Sequence, residues 1–169
     1  MRTEISLAAS RKDVSGLAAL TKQYLEWDRA EFERLSGISL DITQYLENTL
    51  SHLDDYMPPM GRIIMGRDEA GALIGFVILK KLADDAAEIK RFYVTAAGRG
   101  TGLGRRLMEV AVNEARRLMY TSIYLESATY MPAAHRIYRS AGFEEVGPYP
   151  GNEYDASFLP YLVFMRLSL

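Results

Sequence analysis

Six residues, Arg99-Gly100-Thr101-Gly102-Leu103-Gly104, constrain this chain most, because of what stands on either side of them. Upstream, Glu88-Ile-Lys-Arg-Phe-Tyr-Val94 reads as a strand. Downstream, Leu103, Leu107, Val110, Ala111, Ala115 and Leu118 recur at helical spacing, so the loop opens an amphipathic helix. A glycine-rich turn at a helix start offers unpaired backbone N–H groups and the positive end of the helix dipole. Glycines at alternate positions let that backbone approach a ligand closely. The physics suits a phosphate or pyrophosphate cradle, and equally a tight turn into a core helix that holds nothing. Two nucleotide motifs fail on the residues. A P-loop needs Lys-Ser/Thr where Arg105-Arg106 stands, and a dinucleotide fingerprint needs its third glycine at Arg105. Glu126 lies near the spacing of that fingerprint's acidic residue, but the glycine pattern fails first.

Composition narrows the class. The 169 residues suffice for one domain, 1–169, with a proper core, and 49% hydrophobic with 25% charged residues is ordinary for a globular protein. A net charge of -2 gives no overall pull toward nucleic acid. The absence of cysteine excludes disulfides, thiol nucleophiles and Cys-based metal sites, and His52 and His135 form no ligand pair, so no metal is expected. No apolar run approaches the ~18–20 residues of a membrane span, and the first residues lack a signal peptide's apolar core. The expectation is a cytoplasmic protein that binds neither nucleic acid nor membrane.

Along the chain, residues 3–8 suit a first strand, and Ser10-Arg-Lys-Asp13 resembles a capping box ahead of a helical stripe from Val14 to Leu25. That stripe weakens after Trp27 and stops at Gly37, and Ile42–Leu53 gives a second helix. Met57-Pro58-Pro59-Met60-Gly61 is a firm stop. The period then changes to strands at Arg62–Arg67, Ala72–Lys81 and Ala87–Val94, with a hairpin turn at Asp68–Gly71. After the glycine loop and its helix comes a strand at Ser122–Ser127. Pro132 opens a further helix that Gly142 ends, and strands at Phe143–Val146 and Leu162–Leu167 close the chain. The order β-α-α-β-β-β-α-β-α-β-β predicts an α/β fold with a mixed sheet and helices on both faces.

In this order and spacing the motifs resemble the GNAT superfamily of acetyl-CoA-dependent N-acetyltransferases over nearly the whole chain. Arg99-Gly100-Thr101-Gly102-Leu103-Gly104 satisfies the family's Gln/Arg-x-x-Gly-x-Gly/Ala loop, and Lys90-Arg91-Phe92-Tyr93-Val94 is similar to its fourth strand. Ala134-His-Arg-Ile-Tyr138-Arg-Ser-Ala-Gly-Phe143 is similar to its late A-x-x-x-Y-x-x-x-G-F helix and turn. One position departs: Met131 stands where many relatives carry an Asn that binds the pantetheine arm. Tyr56-Met57-Pro58-Pro59-Met60-Gly61 resembles one bacterial branch, which fixes no substrate.

The resemblance implies the GNAT acyltransferase fold, a mostly antiparallel central sheet, acetyl-CoA as cosubstrate, and roles for particular residues. Backbone amides of Gly100, Thr101, Gly102, Leu103, Gly104 and Arg105 hold the pyrophosphate, with Arg99 and Arg105 adding charge unless they are simply solvated. Phe92, Tyr93 and Val94 are core residues whose backbone also meets pantetheine and the thioester carbonyl, where an N–H would stabilise a developing oxyanion. Tyr138 gives a proton to the departing thiolate, its phenol near ~10 being well matched to a thiol near ~8.5, or else is a packed tyrosine beside the cofactor. Glu126, and second to it Glu88, is the base that neutralises the incoming amine. In the branch that acetylates protein N-termini a glutamate on the corresponding strand has this role. Tyr24, Trp27 and Asp28, with Glu31 and Glu33 nearby, belong to the region that walls the acceptor site, although Tyr24 also suits a core and the acids a solvated face. Arg106, Arg116 and Arg117 read as solvated. The acceptor is a small-molecule or peptide amine. The rival reading is a non-catalytic acyl-CoA sensor or interaction module on the same fold, and a third keeps the enzyme with a longer acyl-CoA. Phe158–Phe164 suits either an internal strand or pairing with a second copy in a homodimer.

Overall fold

The computed structural model describes residues 2–151 and 156–169. Four helices and seven strands follow the expected order: β1 (Glu4–Leu7), α1 (Leu17–Ser36), α2 (Ile42–Ser51), β2 (Arg62–Arg67), β3 (Leu73–Lys81), β4 (Ala86–Val94), α3 (Leu103–Arg117), β5 (Ser122–Ala128), α4 (Pro132–Ser140), β6 (Glu144–Val146) and β7 (Leu162–Ser168). The sheet runs β1-β2-β3-β4-β5-β7-β6. Every neighbouring pair is antiparallel except β4 and β5. Among the described residues no helix is long and apolar enough to cross a membrane.

Alternation along the strands divides the core in two. Ile64, Val77, Leu79, Ile89 and Leu125 face α3 and α4, while Ile63, Met65, Phe76, Ile78 and Tyr93 face α1. Leu162–Ser168 lies between β5 and β6, which pairs it over Phe164–Arg166, so of the apolar stretch Phe158–Phe164 only Leu162–Phe164 is strand, and Phe158–Tyr161 belongs to a 3₁₀ turn.

Local chemistry shifts some boundaries. The capping box at Ser10 is present, with the Asp13 carboxylate accepting from the N–H of Ala9 (2.9 Å) and Ser10 (2.8 Å), but it closes only a 3₁₀ turn, Arg11–Val14. Gly16, at φ +86°, breaks the chain there, and α1 starts at Leu17 rather than Val14. The helix does not fade after Trp27: Leu17, Leu20, Thr21, Leu25 and Phe32 form one buried stripe. The second helix ends at Ser51, and Leu53–Tyr56 is a separate 3₁₀ turn.

Two features of the sheet position the site. Parallel pairing of β4 with β5 runs only from Ala86↔Ser122 to Ile89↔Leu125. On its other side β4 continues against β3 to Gly75↔Val94, with the register slipping between Ile78↔Arg91 and Leu79↔Ile89. Lys90 is therefore the extra residue of a β-bulge, which bends and twists the strand locally. The bulge falls at the last paired residue, and beyond it β4 and β5 diverge. The second feature is the seat of α3. Leu103, its first residue, is fully buried, and its Cδ atoms fill the space that a Cβ would need at Gly66, Gly75 and Gly98. Three glycines thus form a socket that fixes where the helix begins.

That socket makes a testable pair. Leu103→Ala removes a fully buried side chain and is expected to cost about 2–5 kcal/mol. Gly75→Ala places a Cβ 3.2 Å from Leu103, Leu107 and the Tyr93 carbonyl, and is expected to cost about 1–3 kcal/mol by overpacking. Urea unfolding measures both, and losses within about 0.5 kcal/mol, the range of an ordinary surface change, contradict the socket.

Candidate active site

The divergence of β4 and β5 opens two adjoining cavities that share Tyr24, Phe92, Tyr130 and Met131. One runs along Phe92, Tyr93 and Val94, past Arg99, to the start of α4 at Pro132–Ala134 and Ile137. The other lies deeper in the fork, between Ile89–Phe92 of β4 and Glu126–Ala128 of β5, with Asp28 of α1 and Tyr138 of α4 in its wall.

The first cavity leads toward the glycine loop. Gly100 and Gly102 sit at φ +76° and +79°, where a Cβ would be strained although nothing crowds it. The first bond of the helical ladder runs from Arg106 N–H to Gly102 O (3.2 Å), so the N–H groups of Leu103, Gly104 and Arg105 precede it. The Thr101 hydroxyl donates to Gly98 O (2.7 Å) and braces the turn. Gly104 has a different reason to be glycine: a Cβ there would lie 3.0 Å from Ile137 and 3.3 Å from Phe92, so it lets α3 close on α4 and β4.

The basic residues divide. Arg99 folds back over the Tyr93 ring, 5.9 Å from its centroid, and its Nε–H donates to Val94 O (3.1 Å), on the cavity wall. Arg105 is exposed and pairs with Glu109 along the helix (2.9 Å). Arg116 and Arg117 are exposed, as expected. Arg106 is not: its guanidinium donates to Thr3 Oγ1 (2.7 Å) and Thr3 O (2.8 Å), tying α3 to the chain just before β1.

Tyr138 is buried, packed against Phe92, Phe143 and His135, and in the wall of the deeper cavity. Burial pushes its phenol well above the ordinary value, and a hydrogen bond with Ser127 works weakly against that. The close match to a thiol expected from sequence is thus absent in this state: Tyr138 is a firmly protonated donor. His135 is structural; burial and the Arg139 charge push its pKa down, and its Nε2 meets Ser127 Oγ at 3.1 Å. His52, an exposed residue, contacts Asn48 O through Nδ1 (2.8 Å), which belongs to neither cavity.

The two candidate bases part company. Glu126 lines the deeper cavity. Glu88 does not: it is 2% exposed, accepts from the Tyr149 hydroxyl (2.8 Å) and pairs with Lys80 (2.9 Å). The partners of Glu88 come from β3 and from the chain after β6, and it lines neither cavity.

On α1 the three expected residues do come together. Tyr24 stacks near Tyr93 (5.4 Å between centroids) and lines both cavities, Trp27 lines the first, and Asp28 the second. Asp28, half-buried, lies on the same face of the helix as the buried Leu25 and Phe32. Desolvation raises its pKa, while the Tyr130 hydroxyl, donating to Oδ1 at 2.7 Å, and the Arg91 charge work the other way. Glu31 and Glu33 lie off the buried stripe; Glu31 pairs with Arg34 (2.7 Å). Met131 lines both cavities and takes a weak bond from Ser127 Oγ at 3.7 Å. Sequence reasoning missed Arg91 and Tyr130. A tyrosine beside Met131 was the available signal for Tyr130, and a position on the strand before Phe92 the one for Arg91.

Comparison with known proteins identifies the family. The model of the Acetyltransferase (GNAT) family matches residues 21–143, and the chain belongs to that family. It is an acyltransferase. An uncharacterized N-acetyltransferase of Schizosaccharomyces pombe is 29% identical over 99% of this chain and 96% of its own. An IAA acetyltransferase of Azospirillum brasilense is 30% identical over 70% of this chain and 76% of its own. The Salmonella typhimurium protein yncA, solved with its cofactor acetyl-CoA, superposes with a TM-score of 0.61 at 20% identity, covering 98% of this chain and 94% of that one.

The buried carboxyl of Asp28 supports a pH test with a definite sign. Below the ordinary value of 3.8 both folded and unfolded chains hold its proton, and no cost arises. As pH rises the unfolded chain ionises first, so the folded state loses stability until Asp28 itself ionises. Asp28→Asn lacks this loss, so its stability relative to wild type is expected to improve as pH rises above about 4, as read from urea midpoints. A difference that stays flat with pH contradicts the burial argument.

Proposed function

We propose that this chain transfers an acetyl group from acetyl-CoA to a primary amine by direct attack in a ternary complex. The observation that carries the reading is the continuity of the fork: one cavity reaches Arg99, at the edge of the glycine loop, the other is lined by Tyr138, Glu126 and Asp28, and the two share Phe92. The yncA structure with acetyl-CoA supports the same donor here. The backbone N–H groups at Gly100–Arg105 suit the pyrophosphate, since those of Gly104 and Arg105 open α3 ahead of its hydrogen-bond ladder, while that of Leu103 donates to Thr101 Oγ1 at 3.4 Å. The edge of Phe92–Val94 that β5 leaves unpaired suits the pantetheine amides, as a strand edge suits any extended chain.

Bound acetyl-CoA supplies an activated thioester, whose C–S bond breaks as the amine nitrogen bonds to the carbonyl carbon. The chain's residues handle the protons. Glu126 takes one from the amine, which is mostly protonated in free solution near neutral pH. A backbone N–H of the β4 edge faces the oxyanion that develops. Tyr138 donates to the departing sulfur, and its raised pKa keeps that proton in place over the working pH range. Holding both reactants in one fork supplies much of the acceleration.

Thiol release in a mixed amine panel tests this reading. Wild type is expected to release CoA, with no loss of rate up to about pH 10, the ordinary phenol value, because Tyr138 stays protonated. Tyr138→Phe is expected to lower kcat about 10²–10⁴-fold, leaving acetyl-CoA affinity unchanged. Acetyl-CoA binding without release across the panel favours a sensor, and Tyr138→Phe at wild-type rate removes the phenol from the chemistry.

A further inference from the structure

Two polar residues are buried where the fold asks only for apolar ones. On β5, Ile123 and Leu125 fill the core beneath α3 and α4, and Ser127 is the next residue on that face, 6% exposed. On α4, His135 and Tyr138 stand three apart and are the buried residues of that helix. His135 Nε2 meets Ser127 Oγ at 3.1 Å, and Ser127 also bonds with the Tyr138 hydroxyl. A third neighbour, the Met131 sulfur, lies 3.7 Å from Oγ and is a weak acceptor. Ser127 and Tyr138 line the deeper cavity, and His135 stands behind them, outside its lining.

A hydroxyl and an imidazole in an apolar layer cost stability unless they bond each other, and two aliphatic side chains would fill the same space without that cost. What the pair adds is a donor beside a phenol. Once Tyr138 has given its proton to sulfur it is a phenolate, in a place where burial penalises charge. Ser127 has one O–H, and a phenolate is a stronger acceptor than an imidazole nitrogen or a thioether. The bond with Ser127 favours the ionised phenol, as a donated hydrogen bond does. His135 holds the Ser127 oxygen from the far side, so the donor is in place before the charge forms.

We propose that Ser127 is a positioning residue for the proton transfer: its hydroxyl, held by His135, donates to the Tyr138 oxygen as the phenol proton passes to the departing sulfur. The inference rests on the reading of Tyr138 as the proton donor. The C–S bond breaks, its electron pair stays on sulfur, and the sulfur takes the Tyr138 proton. The amine proton taken by Glu126 balances the one given up by Tyr138, and both groups reset against solvent once the products leave. Ser127 keeps its own proton throughout.

The test is a double-mutant cycle on Ser127→Ala, Tyr138→Phe and the two combined, with Ser127→Thr as the conservative variant. Thiol release is followed with the amine of the panel that wild type turns over fastest, and acetyl-CoA affinity by calorimetry. Ser127→Ala is expected to lower kcat at least about tenfold, the lower end of what a hydrogen bond to a charged group contributes, with acetyl-CoA affinity unchanged. Threonine keeps the hydroxyl and suits a strand, and is expected to recover most of the lost rate. In the Tyr138→Phe background the same alanine is expected to change nothing, because the phenol through which Ser127 acts is gone. Ser127→Ala at the wild-type rate, no recovery with threonine at an unchanged thermal melt, or an equal loss with and without the phenol overturns the inference and leaves Tyr138 as the donor. Tyr138→Phe at the wild-type rate, or no release by wild type, overturns the reading beneath and the inference with it.

Discussion

The parting of β4 from β5 is the constraint on which everything else in this molecule depends. Pairing stops at Ile89↔Leu125, and the extra residue Lys90 bends β4 at that point. A continuous sheet would bury the edges of Arg91–Val94 and Glu126–Ala128 in each other's hydrogen bonds. The fork instead leaves a polar slot in the middle of a sheet, which is costly unless something enters to satisfy it. The helices hold it open: α1 on one face through Tyr24 on Tyr93, and α4 on the other through Tyr138 on Phe92.

Burial then sets the chemistry. Tyr138 and Asp28 are both pushed toward their protonated, uncharged forms, because a charge in the fork lacks water. For Tyr138 that fixes a proton donor at one end of the slot. For Asp28 it means a carboxyl that gains by meeting a cation, and Arg91 and Tyr130 supply part of that need already. An incoming ammonium supplies more. The same low-polarity space that penalises these groups strengthens their hold on a ligand.

Much of this was legible in the sequence because it is local. The glycine loop announces its own backbone conformation, and Gly100 and Gly102 do take positive φ. The strands follow from apolar runs, and Tyr24, Trp27 and Asp28 are joined by helical spacing alone. What sequence could not show depends on distant partners. The bulge at Lys90 is set by its register against Ile78 and Leu79, with no glycine to mark it. Glu88 reads as a strand carboxylate until Tyr149 closes on it from 61 positions away. Arg106 reads as a solvated helix residue until Thr3 meets it from 103 positions away. Arg91 sits beside Lys90 in a charged pair that looks exposed, and only the fold turns it into a cavity wall.

The most direct test is acetyl-CoA binding by calorimetry to wild type, Gly102→Ala and Gly102→Glu. Open space surrounds a Cβ at this glycine, so alanine adds only the strain of a positive φ, on the order of 1 kcal/mol. Glutamate adds a negative side chain beside the helix start. The account requires wild type to bind, alanine to bind nearly as well, and glutamate to lose at least tenfold with its thermal melt kept close to that of alanine. No binding by wild type, or equal binding by glutamate, would show that the glycine loop is only a turn into a core helix.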